Sequence, residues 1–298
     1  MKKKIIVIGG PTAIGKTALT IRLAKEWKTE IISADARQFY KELNIGVAKP
    51  SNKELNTVPH HFIGHISIEK NYSVGQYEQD ALTKLSELFK KHNVIFVCGG
   101  SGLYIQAICN GLNDFPEINR DVKIKLKYDL INKGLDHLII ELKQNDIETY
   151  HKIDKKNPRR VLRALEVYRS SGKPYSFYMK QEKNTRDFEA IYIALTTDRK
   201  ILYKHINDRV DKMIENGLMK EAKNLYNYKD KQALNAIGYQ ELFEHFNQKI
   251  SLDKAIDQIK QNTRRYAKRQ ITWFNKEMYN HFTSNQEELI MDFIKKSI

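Results

Sequence analysis

The sequence has few cysteines and no long apolar runs. Its 298 residues include only two cysteines, Cys98 and Cys109, which lie in no metal-binding spacing. Both fall in apolar surroundings, so we expect a reduced, cytoplasmic protein rather than a disulfide-linked secreted one. No stretch approaches the roughly 20 apolar residues of a membrane-spanning helix, so we expect no membrane association. A basic N-terminus precedes an apolar run that ends at Gly9, too early for a signal peptide.

Acidic residues are also in deficit. Lysine and arginine number 51 against 36 aspartates and glutamates, which leaves a net charge of +15. Such an excess is typical of proteins with a polyanionic partner, although a basic protein without a specific partner remains an alternative. Apolar residues make up 41% of the chain, enough for a substantial core, and the length corresponds to about two domains.

A phosphate-binding motif lies near the start of the chain. Residues 10–17 fit the pattern G-x-x-x-x-G-K-[ST], after the apolar run 5–8 and before a helical pattern over 18–27. This strand–loop–helix context predicts a loop whose amides hold a di- or triphosphate. Lys16 would reach the outer phosphate and Thr17 would offer its hydroxyl to Mg²⁺. The predicted phosphate-binding residues are Gly10, Pro11, Thr12, Ala13, Ile14, Gly15, Lys16 and Thr17.

The next two predicted strands end in different chemistry. Residues 30–33 form a short strand followed by Asp35, which becomes a candidate base or Mg²⁺ partner, with a helix N-cap as the alternative. The third strand, 93–98, ends in Cys98-Gly99-Gly100, where many NTP-hydrolysing proteins carry an acidic residue. This difference argues against an ATPase and leaves open the binding of a non-nucleotide pyrophosphate by the loop. The small residues also predict room for a bulky ligand beside the phosphate loop.

The predicted fold class is α/β: a P-loop core with a parallel sheet flanked by helices, plus an all-helical insertion. We expect the core to comprise residues 1–114 and 181–298 and the insertion to comprise 115–180. Within the insertion, Asn157 and Pro158 have the composition of a helix start, and Arg159, Arg160 and Arg163 follow within about one turn.

The final long helical pattern, 252–277, carries two basic stripes. Lys260, Arg264 and Lys268 are spaced by four residues, and so are Arg265 and Arg269. With Tyr266 and Trp273 between them, these cations suit an RNA phosphate backbone and base stacking. A helix with core aromatics and solvated cations is the alternative.

Five segments, taken together, resemble the bacterial tRNA dimethylallyltransferase family (isopentenyl-diphosphate:tRNA transferases). The segments are residues 10–17; 32–40 with 46–50; 99–104; 157–167 with 171–174; and 237–239 with 263–273. Their order and spacing are far more specific than the phosphate loop alone, and together they cover nearly the whole chain.

The resemblance implies transfer of a dimethylallyl group from its diphosphate to the exocyclic N6 of the adenine 3′-adjacent to the anticodon. Thr12, the loop amides, Lys16 and Mg²⁺-bound Thr17 would stabilise the departing diphosphate. Arg209 matches a family arginine near the β-phosphate, and Asp35 would accept the N6 proton. The residues expected to contact the tRNA anticodon stem-loop are Asp35, Ala36, Arg37, Gln38, Ser101, Lys123, Arg159, Arg160, Val161, Leu162, Arg163, Asn235, Ala236, Ile237, Gly238, Tyr239, Gln240, Arg264, Arg265, Lys268 and Arg269.

Some expectations remain open at this point. Lys123 stands where many relatives carry arginine. Lysine keeps the positive charge but cannot form the bidentate hydrogen bonds of arginine. The alternatives are a P-loop kinase or a prenyltransferase acting on a free nucleotide, and a non-catalytic RNA-binding module. We expect a monomer, because no apolar stripe is left unassigned.

Overall fold

The computed structural model describes residues 2–180 and 185–298, and its core is a six-stranded parallel sheet. The strands are β1 (Lys3–Gly9), β2 (Ile31–Ser33), β3 (His60–His61), β4 (Val94–Cys98), β5 (Phe188–Thr196) and β6 (Asn280–Thr283). They are arranged in the order β3-β2-β4-β1-β5-β6, with parallel pairing throughout. The predicted α/β class with a parallel sheet is confirmed.

Helices connect and cover these strands. Their bounds are α1 (Lys16–Glu26), α2 (Asn52–Thr57), α3 (Val74–Leu88), α4 (Gly102–Asn110), α5 (Arg120–Asn145), α6 (Ile147–Lys152), α7 (Pro158–Ser171), α8 (Tyr175–Met179), α9 (Arg199–Glu215), α10 (Leu218–Asn224), α11 (Tyr239–Phe246), α12 (Leu252–Phe274) and α13 (Glu287–Ser297). Across the described residues, none of these helices has the length and hydropathy needed to cross a bilayer.

The sheet carries a separate apolar core on each face. Alternate residues of a strand point to opposite faces, and β1 is buried on both. Ile5 and Val7 therefore join the cluster that contains Tyr77 of α3. Ile6 and Ile8 join the other cluster, which packs against α1 and α13. Coverage of both faces by helices explains why β1 is a continuous apolar run rather than an alternating one.

Residue contacts divide the chain into two compact units. One comprises Met1–Cys109 with Arg186–Ile298, and the other comprises Asn110–Thr185. The predicted insertion limits, 115 and 180, lie inside the second unit. This unit is helical and has its own core around Leu138 and Leu165.

Local sequence signals explain the limits of the helices in the second unit. The Asn157 side chain accepts the Arg159 amide, and Pro158 is the first residue of α7. Gly172 ends that helix in the left-handed conformation, which glycine adopts without steric cost. Inside α5, Gly134 breaks the helical geometry at φ 81°. The Arg169 guanidinium contacts Glu141 and Asp129, one on each side of this break, and so holds both halves of α5 to α7.

The glycines after β4 are packed against protein. A Cβ on Gly99 would lie 2.2 Å from the Ala34 carbonyl oxygen, and one on Gly100 would lie 2.2 Å from Gln270 Nε2. A Cβ on Gly102 would lie 2.0 Å from Trp273 Nε1. The space left by these glycines is therefore taken up by the loop after β2 and by helix α12 rather than by a ligand. Cys98 and Gly99 nevertheless also line the pocket beside the phosphate loop.

We predict that Gly99→Ala lowers the free energy of unfolding by about 1–3 kcal/mol, because its methyl group would overlap backbone that cannot rotate away. Gly75→Ala, inside α3, is the matched control. Its Cβ would meet nothing closer than 3.9 Å, and alanine favours a helix by about 0.5–1 kcal/mol. Urea denaturation measures both variants. Equal stability of the two would contradict the close packing at Gly99.

Candidate active site

The strand order brings three loops together at one edge of the sheet. β4 lies between β1 and β2, and all three strands are parallel, so the loops that follow them leave the same edge. These loops carry the phosphate motif, Asp35 and residues 99–101. The carboxyl edge of an open parallel sheet is where such folds bind ligands.

The phosphate loop turns sharply between β1 and α1. Gly10, Ala13 and Gly15 have φ values of 139°, 63° and 94°, which place them in backbone conformations that most residues avoid. A Cβ at Gly10 would lie 2.9 Å from the Leu195 carbonyl oxygen, so this glycine also admits the neighbouring strand. The turn leads into the start of α1, where the free amides and the positive end of the helix dipole favour binding of an anion.

Two cationic side chains line the pocket beside this loop. Lys16 Nζ donates to the Pro11 carbonyl at 2.8 Å, and Arg209 of α9 donates through Nη1 to the Thr12 hydroxyl at 2.9 Å. Burial lowers the pKa of Lys16 to about 8, while the nearby Asp35 charge acts in the opposite direction. Burial also lowers the pKa of Arg209. Both cations are thus poorly solvated, and a bound anion would compensate for the lost hydration.

Asp35 lies in the same pocket as Lys16 and Arg209. One of its oxygens, Oδ1, accepts the amide of Arg37 at 3.0 Å. Residues 36–39 form a turn and no helix begins there, so the N-cap alternative is wrong. The structure therefore places the predicted base in one pocket with the predicted phosphate-binding cations.

The turn that follows Asp35 is held by hydrogen bonds to other loops. The amide of Ala36 donates to the Ser101 hydroxyl at 3.1 Å. Arg37 donates to the carbonyls of residues 232, 233 and 235, and Gln38 donates to those of residues 47 and 48. Gln38 also lines the pocket. These four residues, all predicted to contact tRNA, are thus brought together around Asp35.

Residues 235–240 pack beside this turn. The Tyr239 side chain is fully buried and donates to Glu221, which also accepts the amides of Ile45 and Gly46. Gln240 donates to the Leu234 carbonyl. Burial leaves Tyr239 no surface for the tRNA contact predicted for its side chain, and we correct that role to packing. The remaining predicted residues of this segment are Asn235, Ala236, Ile237 and Gly238, which lead into α11.

In the helical unit, the predicted tRNA-binding residues occupy different environments. Arg159 and Arg160 are exposed at the start of α7, and Lys123 is exposed on α5. The Arg163 guanidinium lies over the Phe115 ring, 5.1 Å from its centroid. The Val161 side chain is fully buried in the core of the unit, so its predicted side-chain contact with tRNA is corrected to packing. Leu162 is half-buried and packs against the same core.

Helix α12 presents only part of its basic surface to solvent. Lys260 pairs with Asp211 at 2.6 Å, and Arg264 donates to Asn207 Oδ1 at 2.6 Å, so both face α9. Of the cations in the two predicted stripes, Arg265, Lys268 and Arg269 are exposed. We name these three residues the basic face of α12.

A second side of α12 contributes to the pocket. Tyr266 and Gln270 line it, and burial raises the pKa of Tyr266 to about 12. Gln270 Oε1 accepts the Thr12 amide at 2.8 Å, and its Nε2 donates to the Gly100 carbonyl at 2.9 Å. Sequence reasoning missed Gln270. The available signal was a polar residue four positions after Tyr266, on the same side of α12.

These features define an α/β protein with a P-loop-like core, in which two half-buried cations and a carboxylate line one pocket. Cys98 stands where a nucleotide hydrolase would carry an acid. The model of the IPP transferase family matches residues 38–277. The chain is also 49% identical to the tRNA dimethylallyltransferase of Christiangramia forsetii, over 100% of this chain and 99% of that one. It belongs to the IPP transferase family.

Further relatives and solved structures agree. The tRNA dimethylallyltransferase of Flavobacterium johnsoniae is 46% identical over 99% of this chain and 100% of its own length. The tRNA isopentenylpyrophosphate transferase of Bacillus halodurans matches with a TM-score of 0.73 and 35% identity, covering 99% and 96% of the two chains. A eukaryotic dimethylallyltransferase acting on tRNA matches with a TM-score of 0.82 and 27% identity, covering 99% and 80%. The family resemblance predicted from the five segments is confirmed.

We predict that Lys16→Met changes the pH dependence of stability. The folded pKa, about 8, lies below the unfolded value, so the cost of burying the charge is full below pH 8 and disappears as the pH rises to about 10. Relative to the variant, wild type should therefore gain on the order of 2 kcal/mol of unfolding free energy between about pH 7 and 10.

Chemical denaturation across this pH range measures the difference. Lys25→Met, at an exposed position near the end of α1, is the control and should show no such trend. A constant difference between wild type and Lys16→Met would contradict the desolvated state of this lysine.

Proposed function

We propose that this chain transfers a dimethylallyl group from dimethylallyl diphosphate to the exocyclic N6 of the adenine 3′-adjacent to the anticodon in tRNA. The C1–O bond to the diphosphate breaks, a bond forms between C1 and N6, and N6 loses one proton. Diphosphate is the second product. The observation that carries the proposal is the placement of Asp35 in one pocket with Lys16 and Arg209, in a chain of the IPP transferase family.

Stabilisation of the leaving group is the first requirement. Lys16, Arg209 and the loop amides supply positive charge and donors where negative charge develops on the diphosphate. Arg209 also orients the Thr12 hydroxyl, which brings a further polar group to the same place. Because these groups are fixed by the fold before the donor binds, little reorganisation is needed during the reaction.

The residues present fit a Mg²⁺ ion that is shared with the diphosphate. Mg²⁺ commonly takes one or two protein oxygens, substrate phosphates and waters. Thr17 lines the pocket and offers its hydroxyl, and the described residues contain no cluster of three acidic, histidine or cysteine side chains that would form a separate site. When bound there, Mg²⁺ would neutralise charge on the leaving diphosphate.

Deprotonation of the acceptor is the second requirement. An exocyclic amine of adenine is a weak nucleophile, so its proton must leave as the carbon–nitrogen bond forms. The Asp35 carboxylate accepts that proton. The amide of Arg37 holds one carboxylate oxygen at 3.0 Å, which fixes the orientation of the group.

The acceptor is a large polyanion, and the charge of +15 suits it. The target base cannot react inside the stacked anticodon loop, so it must be extracted into the pocket. In this proposal the basic face of α12 and the exposed arginines at the start of α7 contact tRNA phosphates. The enzyme acts as a monomer, in the cytoplasm where unmodified tRNA is found.

The direct test measures transfer of the labelled dimethylallyl group from carbon-labelled dimethylallyl diphosphate, with Mg²⁺, to tRNA from a strain that lacks the modification. AMP and ATP are offered as competing acceptors. We expect label in tRNA alone. Label in a free nucleotide would replace the proposal with a nucleotide prenyltransferase, and tRNA binding without any transfer would leave an RNA-binding protein.

We predict that Asp35→Asn lowers kcat by about 10²–10⁴-fold, because the amide cannot take the proton. The asparagine oxygen still accepts the Arg37 amide, so the turn should persist and tRNA affinity should change by less than about threefold. Steady-state kinetics and filter binding measure the two effects. Asp230→Asn, at an exposed position, is the control. Equal losses in turnover and affinity would contradict the role as base.

We predict that Arg265→Ala weakens tRNA binding and reduces the slope of log K against log salt by about 1, as expected for one lost phosphate contact. Binding titrations at several salt concentrations give the slope. Lys25→Ala, which removes an exposed cation from α1, should leave the slope unchanged. The same slope for Arg265→Ala and wild type would exclude a phosphate contact at Arg265.

A further inference from the structure

Gln270 is a buried polar side chain that joins two loops of the site. Only 5% of the residue is exposed, although glutamine is usually a surface residue. Its oxygen accepts the amide of Thr12 at 2.8 Å, and its nitrogen donates to the carbonyl of Gly100 at 2.9 Å. Each end of the side-chain amide therefore has a backbone partner, which accounts for its burial in a polar role.

The two partners lie in the loops that follow adjacent strands. Thr12 follows β1, Gly100 follows β4, and these strands pair directly. The lack of a side chain at Gly100 leaves space for the glutamine, since a Cβ there would lie 2.2 Å from Gln270 Nε2. Gln270, on α12, is thus hydrogen-bonded to both the phosphate loop and the loop of residues 99–101, and so fixes the distance between them.

The hydrogen bond to Gln270 determines which groups of Thr12 can face a bound anion. In a phosphate loop, amides usually point at the anion. Here the Thr12 amide is directed to Gln270, while the Thr12 hydroxyl meets Arg209 at 2.9 Å. The backbone of Thr12 is therefore held from one side while its side chain faces the cation on the other.

We infer that Gln270 is a positioning residue of the transfer reaction, which holds the Thr12 backbone so that the Thr12 hydroxyl and Arg209 meet the leaving diphosphate. This inference rests on the proposed function and deepens it. In this account, the side of α12 that carries Gln270 aligns the phosphate loop, while the basic face of the helix is exposed.

The first test replaces Gln270 with methionine, which keeps the length and loses both hydrogen bonds. We expect kcat to fall by about 10–100-fold, because small displacements of aligned groups carry penalties of this size. Affinity for inorganic pyrophosphate, measured by calorimetry, should fall as well, while tRNA affinity stays within about twofold. Gln261→Met, at an exposed position of the same helix, is the matched control.

The second test uses Gln270→Glu and its pH profile. The carboxylate accepts the Thr12 amide but repels the Gly100 carbonyl, whereas the protonated acid can make both of the native bonds. Its activity relative to wild type should therefore rise as the pH falls from about 9 to 6, which a residue acting only through packing would not produce.

Several results would overturn the inference. Turnover of Gln270→Met within twofold of wild type would do so, and so would a loss of tRNA affinity as large as the loss of turnover. If thermal melts showed both variants unfolded and the glutamate variant gained nothing at low pH, Gln270 would serve the fold alone. Absence of transfer by the wild-type protein would instead overturn the proposed function, and the pyrophosphate affinities would still test Gln270.

Discussion

The partial burial of two cations beside the phosphate loop is the constraint on which the site depends. Lys16 and Arg209 both lose hydration in this pocket, and burial lowers the pKa of each. A poorly hydrated cation is unfavourable unless an anion or an acceptor compensates it. The loop amides at the start of α1 add a positive potential to that of the two cations. In the proposed reaction this pocket would hold the diphosphate, and most tightly when negative charge accumulates on it.

The sheet topology places Asp35, the proposed base, beside the phosphate loop and leaves no acidic residue at the end of β4. β4 ends in Cys98, which leaves the carboxylate to the neighbouring strand, where Asp35 follows β2. A nucleotide hydrolase uses an acid at the β4 position to organise metal and water. A carboxylate in the loop after the neighbouring strand suits a reaction in which the acceptor, rather than the phosphate, loses a proton.

Much of this arrangement could be predicted from sequence because it depends on local chemistry. The phosphate loop, the apolar strands and the Asn157 cap are set by residues adjacent in the chain. The failures concern contacts between distant residues. The space beside Gly100 is filled by Gln270, which lies 170 positions away, and no local pattern indicates that neighbour. Likewise, the spacing of the cationic residues along α12 does not indicate that Arg264 faces α9 while Arg265 faces solvent.

The central claim, that the phosphate loop holds a leaving diphosphate during alkyl transfer to tRNA, is tested most directly with a doubly labelled donor. Dimethylallyl diphosphate carrying ¹⁴C in the prenyl chain and ³²P in the diphosphate is incubated with enzyme, Mg²⁺ and unmodified tRNA, and the products are separated. The account predicts ¹⁴C in tRNA and an equal molar amount of ³²P as free diphosphate. Phosphorus label in tRNA or in another acceptor would mean phosphoryl transfer and would contradict it.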